Sequence, residues 1–160
     1  MDSRAKRLEK LLPNGRGVWI PIDHGASDFP VEGLVDTENT IKALISAGVD
    51  VILAQKGVVS HYSHLCEGTK TNMVVHLSVS TRHAGPDSEN KVLVGHPDEV
   101  ISRGGLGVSC QVNIGSPNEA EMIERMGEVS RQSHKLQLPM FGMVYARGEF
   151  LNIMEGDSTL

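Results

Sequence analysis

Short apolar runs alternate with longer amphipathic stretches along most of this chain. Five of these runs have the character of buried strands, because they are nearly continuous series of apolar residues bounded by glycine, proline or polar residues. The predicted strands are residues 17–22, 50–55, 72–78, 107–113 and 139–144. Near-continuous apolar strands are typical of a parallel sheet that is covered on both faces.

Helical patterns fill most of the intervals between the predicted strands. A short amphipathic helix is predicted over residues 3–12, and a second over residues 36–47. A third is predicted to begin at Pro97, since proline suits the first helical position. The clearest signal is residues 116–119, Ser-Pro-Asn-Glu, which have the form of a capping box with proline at the first helical position.

Strands separated by helices indicate right-handed βαβ units, and therefore an α/β protein with a parallel sheet. The predicted strands recur about every 30 residues, so eight such units would need roughly 240 residues, as in a (β/α)8 barrel. With five strands, two architectures remain open at this point. One is a five-stranded doubly wound sheet, and the other is about the first five βα units of a barrel.

The composition is that of a globular domain, with 39% hydrophobic and 22% charged residues in a chain of 160. A net charge of −5 argues against a general nucleic-acid-binding protein, which would carry a basic face. No apolar run approaches the ~20 residues that a membrane helix needs. Residues 1–10 are charged and do not resemble a signal peptide, so we predict a cytoplasmic protein with no membrane partner, whose two cysteines remain thiols.

Polar side chains follow each predicted strand at its carboxyl end. Ligands of parallel α/β folds bind beyond these ends, so five polar strand ends in succession predict the rim of a polar pocket. The five ends are Asp23-His24-Gly25, Gln55-Lys56-Gly57, His76-Leu77-Ser78, Asn113-Ile114-Gly115 and Tyr145-Ala146-Arg147-Gly148. The sequence thus favours a functional site over a set of ordinary turns.

Six blocks of sequence, in order, resemble the archaeal-type class I aldolase family. They are PIDHGASDFPVEGLVD, AQKGVV, VVHLSVST, KVLVG, VSCQVNIGS and MVYARG. The resemblance covers residues 3–148 and implies a (β/α)8 TIM barrel that joins a lysine to a keto sugar phosphate as a Schiff base. It implies a small-molecule substrate, no cofactor and a homo-oligomer.

The resemblance also implies which residues form the site. Asp23 matches the catalytic carboxylate of the first strand, and Tyr145 matches the tyrosine of the fifth strand that transfers a proton. The substrate-binding residues implied by the match are His24, Gly25, Ala26 and Ser27 in the first loop, with Ala146 and Arg147 in the second. No residue is implied to bind a metal.

Within the family, the form Asp-His-Gly-x-Ser is closer to the branch of 2-amino-3,7-dideoxy-D-threo-hept-6-ulosonate synthases, which serve aromatic amino acid biosynthesis. The alternative within the family is a class I fructose-bisphosphate aldolase. An alternative of another class is a non-catalytic α/β binding or assembly module. Such a module would keep the residues of a pocket without a lysine nucleophile.

The sequence departs from the family in one large respect. The family's Schiff-base lysine lies on strand six, and its phosphate-binding loops follow strands seven and eight. None of these three strands is among the five predicted here. We therefore expect residues 1–160 to be a single partial barrel domain, with βα units from 17 to 148, and to be inactive alone. Lys56 follows the second strand but is not expected to replace the missing lysine, because the family has a lysine there as well.

The one metal-like motif is His61-x-x-His64-x-Cys66. Zinc sites of this kind usually have a second pair of ligands at suitable spacing, and the sequence shows none. We therefore expect these residues to lie in a solvated segment after the second strand, with no metal bound.

Overall fold

A computed structural model describes residues 3–26 and 31–147. The strands are β1 (Trp19–Pro21), β2 (Val51–Gln55), β3 (Asn72–His76), β4 (Ser78–Val79), β5 (Val92–Leu93), β6 (Gly107–Ile114) and β7 (Met140–Ala146). The α-helices are α1 (Arg4–Leu11), α2 (Thr37–Ser46), α3 (Lys56–Tyr62) and α4 (Glu119–Lys135). Short 3-10 helices occupy Pro13–Gly15, Asp23–Ala26, Ser63–Cys66, Arg82–Asp87 and Pro97–Glu99.

Five strands form one parallel sheet in the order β1-β2-β3-β6-β7. Each pairs with its neighbour in parallel, with Trp19 opposite Val51 at one edge and Asn113 opposite Tyr145 at the other. The spatial order follows the chain order without a reversal. A doubly wound sheet reverses its strand order at a switch point, so the observed order is that of a barrel section.

The sheet is strongly curled. The ring of Trp19 on β1 meets the ring of Phe141 on β7 edge to face, with centroids 4.5 Å apart, although three strands separate them in the sheet. Five strands spaced about 4.8 Å apart in a flat sheet would hold these rings much farther from each other. The contact therefore shows that the inner face is concave, as in about half of a barrel.

The two faces of the sheet carry different parts of the core. The outer face packs under the helices, and its buried residues include Ile52, Met73, Val75, Val108 and Cys110. The inner face is a smaller apolar surface formed by Leu11, Val51, Leu53 and Val74, with Trp19 and Phe141 against it. Helix α1 reaches this inner face through Leu11, whose carbonyl accepts a hydrogen bond from the Trp19 indole.

Two local predictions differ from the structure, and one feature of the structure was not predicted. The segment after Pro97 forms only a three-residue 3-10 helix, and turns follow it as far as Gly104. Helix α4 begins at Glu119 instead of Pro117, since the Glu119 carboxylate accepts a hydrogen bond from Gly115 N–H and closes the preceding turn. The pair β4–β5, which is antiparallel and two residues long, was not predicted.

Both cysteines are free thiols, and burial raises the pKa of each. For Cys110, on the covered face of β6, the pKa rises to about 11. We expect iodoacetamide at pH 8 to modify Cys66 in the folded protein and Cys110 only after denaturant is added, because the thiolate is the reactive form. Peptide mapping would measure this, and equal labelling of both thiols in the folded protein would contradict the described packing.

Candidate active site

The polar site lies at the carboxyl ends of the sheet strands. Asp23 begins the 3-10 helix that directly follows β1, and its side chain is 15% exposed. His24 and Gly25 follow in the same turn and are exposed, and Ala26 ends it. Ser27, which the family resemblance also assigns to this loop, lies outside the described residues. In the Asp-His-Gly turn, His24 and Gly25 thus face solvent, whereas the Asp23 side chain is mostly buried.

His76, the last residue of β3, lies beneath Asp23. Its side chain is 2% exposed, and Nε2 is 3.7 Å from Asp23 Oδ2. Nδ1 shares a hydrogen bond of 2.7 Å with Ser109 Oγ, and Nε2 shares one of 3.2 Å with Ser78 Oγ. Ser78 Oγ also accepts from the backbone N–H of Gln111 at 3.0 Å. Ser109 on β6 and Ser78 on β4 therefore hold the imidazole in place beside the Asp23 carboxylate.

Burial lowers the pKa of His76 to about 4, which makes the imidazole neutral at pH 7. The Asp23 carboxylate raises this pKa, whereas the nearby charges of Lys91 and His24 lower it further. Desolvation is the largest of these effects, since charging an imidazole inside a protein is costly. A neutral imidazole donates from one nitrogen and accepts at the other. Nε2 lies 3.2 Å from Ser78 Oγ and 3.7 Å from Asp23 Oδ2, so a proton on this nitrogen would point toward oxygen acceptors.

The second predicted loop lies at the end of β7. Tyr145 pairs in register with Asn113 of β6 and is 43% exposed, so its phenol is open to solvent at the rim. Ala146 ends the strand, and Arg147 follows it. The guanidinium carbon of Arg147 is 4.5 Å from the centroid of the Tyr145 ring, a cation–π contact that orients both side chains.

Lys91 connects the two predicted loops, and the sequence analysis did not identify it. It directly precedes β5 and is 9% exposed. Burial lowers the pKa of Lys91, and the charge of Arg147 lowers it further, whereas the carboxylates of Glu89 and Asp23 oppose this effect. The charges of Asp23, after β1, and of Arg147, after β7, thus both act on the Lys91 ammonium group.

Three further observations concern Lys56, metal ligands and membrane-spanning helices. Lys56 begins α3, and its Nζ lies 3.4 Å from the Glu99 carboxylate. Within residues 3–26 and 31–147, no group of three or more His, Cys, Asp or Glu side chains is placed to hold a metal ion. Over the same residues, no helix is long and apolar enough to cross a membrane.

An apolar cavity of about 370 Å³ lies on the inner face of the sheet. It is lined by Leu12, Trp19, Leu53, Phe141 and Met143, which are apolar or aromatic. These residues lie nearer the amino ends of the strands than the polar site does. The cavity therefore belongs to the interior of the curled sheet and is separate from the polar side chains at the carboxyl ends of the strands.

Comparison with known protein families identifies the chain. The model of the DeoC/LacD family aldolases matches residues 18–153, which includes all five strands of the main sheet and both predicted loops. The chain belongs to the DeoC/LacD aldolase family. The family resemblance noted in the sequence is thereby confirmed.

The curated relatives of this aldolase-family chain are named as synthases. The chain is 33% identical over 145 residues to a 2-amino-3,7-dideoxy-D-threo-hept-6-ulosonate synthase of Halobacterium salinarum, covering 91% of the chain and 54% of that protein. It is 34% identical over 148 residues to a 2-amino-4,5-dihydroxy-6-oxo-7-(phosphonooxy)heptanoate synthase of Streptomyces griseus, covering 91% and 53%. The chain spans about half the length of the curated relatives it matches.

Solved structures of aldolases have the same fold. A crystal structure of an archaeal fructose-1,6-bisphosphate aldolase matches with a TM-score of 0.76 and 22% identity, covering 91% of this chain and 58% of that one. The fructose-bisphosphate aldolase of Slackia heliotrinireducens matches with a TM-score of 0.72 and 19% identity, covering 92% and 51%. Together with the strand order, these matches confirm the fold as a partial TIM barrel.

Proposed function

We propose that this protein takes part in Schiff-base aldolase or transaldolase chemistry on keto sugar phosphates. The observation that carries the proposal is the cluster at the strand ends, where Asp23 lies 3.7 Å from the neutral, buried imidazole of His76. Tyr145 and Arg147 supply a phenol and a cation at the same edge. Family membership gives this cluster its chemical context.

In this mechanism a lysine amine adds to the ketone of the substrate and releases water, which gives a protonated imine. The imine accepts the electron pair of the breaking carbon–carbon bond, or stabilises the enamine that attacks an aldehyde. We propose that Asp23 and Tyr145 transfer the protons of these steps. A carboxylate can accept a proton and a phenol can donate one, so the two groups can take complementary roles in the same site.

Substrate contacts are proposed for the two loops. His24, Gly25, Ala26 and Ser27 would contact the substrate from the first loop, and Ala146 and Arg147 from the second. For the guanidinium of Arg147, which stacks on Tyr145, an anionic substrate group is the suitable partner.

The main proposal for the reaction is synthesis of 2-amino-3,7-dideoxy-D-threo-hept-6-ulosonate, a step toward aromatic amino acids, because synthases of this compound are at least 32% identical to the chain. The name of the Streptomyces griseus relative contains a 4-hydroxy and a 6-oxo group. That arrangement is a β-hydroxy ketone, the product of an aldol addition. Cleavage of fructose bisphosphate remains the alternative, supported by the fold of the structural relatives.

We propose that the imine-forming lysine lies outside residues 1–160. Of the seven lysines in the sequence, only Lys56 and Lys91 are near the carboxyl ends of the strands. Lys56 is paired with Glu99, and neither lysine lies on a sixth strand of the main sheet, where the family resemblance places the imine-forming lysine. On this proposal the 160 residues supply the acid–base half of the site and have no turnover alone.

The remaining proposals concern the setting of the reaction. We propose that the 160 residues form one partial barrel domain, that the protein works as a homo-oligomer in the cytoplasm, and that its partners are small sugar phosphates and not nucleic acid. The net charge of −5 supports the last point, since a nucleic-acid-binding surface is normally basic.

The test is a comparison of the gene product purified from its own cells with the isolated 160-residue chain. Both are incubated with fructose 1,6-bisphosphate, and with dihydroxyacetone phosphate plus an aldehyde acceptor, and products are followed by mass spectrometry. We expect carbon–carbon bond cleavage or formation by the gene product and none by the isolated chain. Steady turnover by the isolated chain would overturn the assignment of the lysine. No reaction in either sample would overturn the aldolase proposal.

A further inference from the structure

The inner face of the curled sheet changes from apolar to polar toward the carboxyl ends of its strands. His76 shares a face of β3 with Val74, which belongs to the inner apolar surface, because side chains alternate across a strand. On β6, a polar series lies on the same side as His76 and is at most 9% exposed: Ser109, Gln111 and Asn113. Buried polar side chains cost free energy unless they form hydrogen bonds, so this cluster calls for an explanation.

These side chains form one connected hydrogen-bond network. Ser109 lies opposite His76 in the strand register, and its Oγ is 2.7 Å from His76 Nδ1. Ser78 Oγ is 3.2 Å from His76 Nε2. The backbone N–H of Gln111 donates to Ser78 Oγ, and the Gln111 side chain donates to Asn113 Oδ1 at 2.7 Å. The imidazole is therefore held at both ring nitrogens by a scaffold that spans β3, β4 and β6.

The geometry distinguishes the two neutral forms of the His76 ring. A neutral imidazole has one N–H group and one nitrogen with a free electron pair. With the proton on Nδ1, the free pair of Nε2 would face Asp23 Oδ2 at 3.7 Å, and two acceptors that face each other repel. With the proton on Nε2, the Ser109 hydroxyl donates to Nδ1 and the Nε2–H group points toward oxygen atoms. The second form avoids the repulsion, and Ser109 supports it.

His76 is also in the right place to orient the Asp23 carboxylate. The ring is 2% exposed and fixed, whereas Asp23 belongs to a turn whose next residues, His24 and Gly25, are exposed. The distance of 3.7 Å exceeds that of a hydrogen bond, but the hydrogen bonds of catalytic groups are often long before the substrate binds and shorten in its complex. Because burial lowers the pKa of His76, the ring is a neutral donor that brings no charge to the site.

We propose that His76 is a positioning residue whose Nε2–H group donates a hydrogen bond to the Asp23 carboxylate when the substrate binds, and that Ser109 maintains the ring form that can do so. This inference rests on the proposed function, in which Asp23 transfers a proton, and extends it to two buried residues that act through Asp23. The family resemblance implies a role for Asp23 but for neither of these two residues. The buried polar cluster is thereby explained as the support of the reacting carboxylate.

The kinetic test uses two replacements of similar length at position 76 of the gene product. His76→Gln keeps an N–H donor near the place of Nε2, whereas His76→Met has no donor. We expect His76→Met to lower kcat for the aldol reaction about 10- to 100-fold, since a misplaced reacting group has an effect of this size, and to leave KM within about threefold. His76→Gln should retain a kcat within about fivefold of the parent, because the donor is restored.

The spectroscopic test identifies the ring form directly. NMR of the histidine ring nitrogens shows which of them carries the proton, and the His76 signals are those that disappear in His76→Gln. We expect the proton on Nε2 in the parent and a mixture of both neutral forms in Ser109→Ala. Ser109→Ala should also lower kcat about 2- to 10-fold, since only part of the molecules then holds the donor form. This measurement gives an answer even where His76→Met does not fold.

Two controls accompany these variants. Ser133→Ala makes the same change as Ser109→Ala at a buried serine of α4 whose hydroxyl forms no hydrogen bond among the described residues, and it should alter neither kcat nor the ring form of His76. Val75→Ala removes buried packing from the opposite face of β3, and it should lower the thermal stability while kcat stays within about twofold. Thermal unfolding of each variant establishes that it is folded.

The outcomes separate this inference from the proposed function. If the parent catalyses the aldol reaction and His76→Met retains its kcat, the inference is wrong and the aldolase proposal stands. If His76→Gln loses as much activity as His76→Met, the ring has a structural role only, which overturns the inference too. If the parent carries the proton on Nδ1, His76 cannot donate to Asp23, and the inference is again wrong. If the parent catalyses no aldol reaction, the proposed function fails, and the inference fails with it.

Discussion

Replacement of Asp23 by Asn in the gene product is expected to lower kcat for the aldol reaction by about 10²- to 10⁴-fold, the usual contribution of a positioned acid–base group. Asparagine has the shape of aspartate but cannot accept a proton at neutral pH. The carboxylate is only 15% exposed and lies 3.7 Å from His76 Nε2, so the change removes the basic group with little loss of packing. Steady-state kinetics with the active keto sugar phosphate measure the effect.

Two variants serve as comparisons for Asp23→Asn. Asp98→Asn makes the same chemical change at an exposed position and should leave kcat within about twofold of the parent. Tyr145→Phe removes only a hydroxyl at the rim and should also lower kcat, because Tyr145 is the second proposed proton-transfer group. An Asp23→Asn variant that retains the kcat of the parent would remove Asp23 from the mechanism.

The free energy of unfolding is expected to fall by up to about 3 kcal/mol through His76 as the pH is lowered from about 7 to 4. Burial first, and the charges of Lys91 and His24 after it, lower the pKa of His76 from 6.5 to about 4. Between these values the unfolded chain binds a proton that the folded chain does not bind. The contribution is therefore fully present above pH 6.5 and is lost progressively below it.

The pH effect is measured by urea unfolding of the parent and of His76→Gln at several pH values. The variant should be less stable than the parent at pH 7, and the difference between them should narrow as the pH approaches 4. Carboxylates titrate in the same range in both proteins, so only the difference in free energy of unfolding between the parent and the variant reports on His76. His83→Gln, at an exposed position, should show no narrowing. A constant difference for His76→Gln would mean that the imidazole titrates normally in the fold.

The parallel sheet could be predicted because its strands bury both faces. A run such as residues 50–55 is apolar throughout, and this pattern distinguishes a covered parallel strand from a half-exposed one. The choice between a barrel and a doubly wound sheet could not be made from the strands alone, since both use the same βα units. The spatial order of the strands and the contact between Trp19 and Phe141 decided it.

Part of the candidate site could also be predicted from the apolar strands, because polar residues follow them. Asp23 and Tyr145 end apolar strands, and the family resemblance covers both. Glu89 and Lys91 lie in a polar, glycine- and proline-containing stretch that resembles a solvated loop in sequence. Their burial depends on contacts from β6 and α4, which are distant in the chain. The local signals are the apolar pair Val92-Leu93 directly after Lys91, which forms the short strand β5, and the block KVLVG of the family resemblance, which begins at Lys91.

The most direct test of the central claim is borohydride reduction of the gene product in the presence of a keto sugar phosphate, followed by intact mass measurement and peptide mapping. The account predicts one covalent adduct per chain, on a lysine outside residues 1–160, with a protein mass well above 17.3 kDa. It also predicts loss of the adduct when the ketone is omitted. An unmodified protein of 17.3 kDa with no adduct would show that the chain does not act as a Schiff-base aldolase.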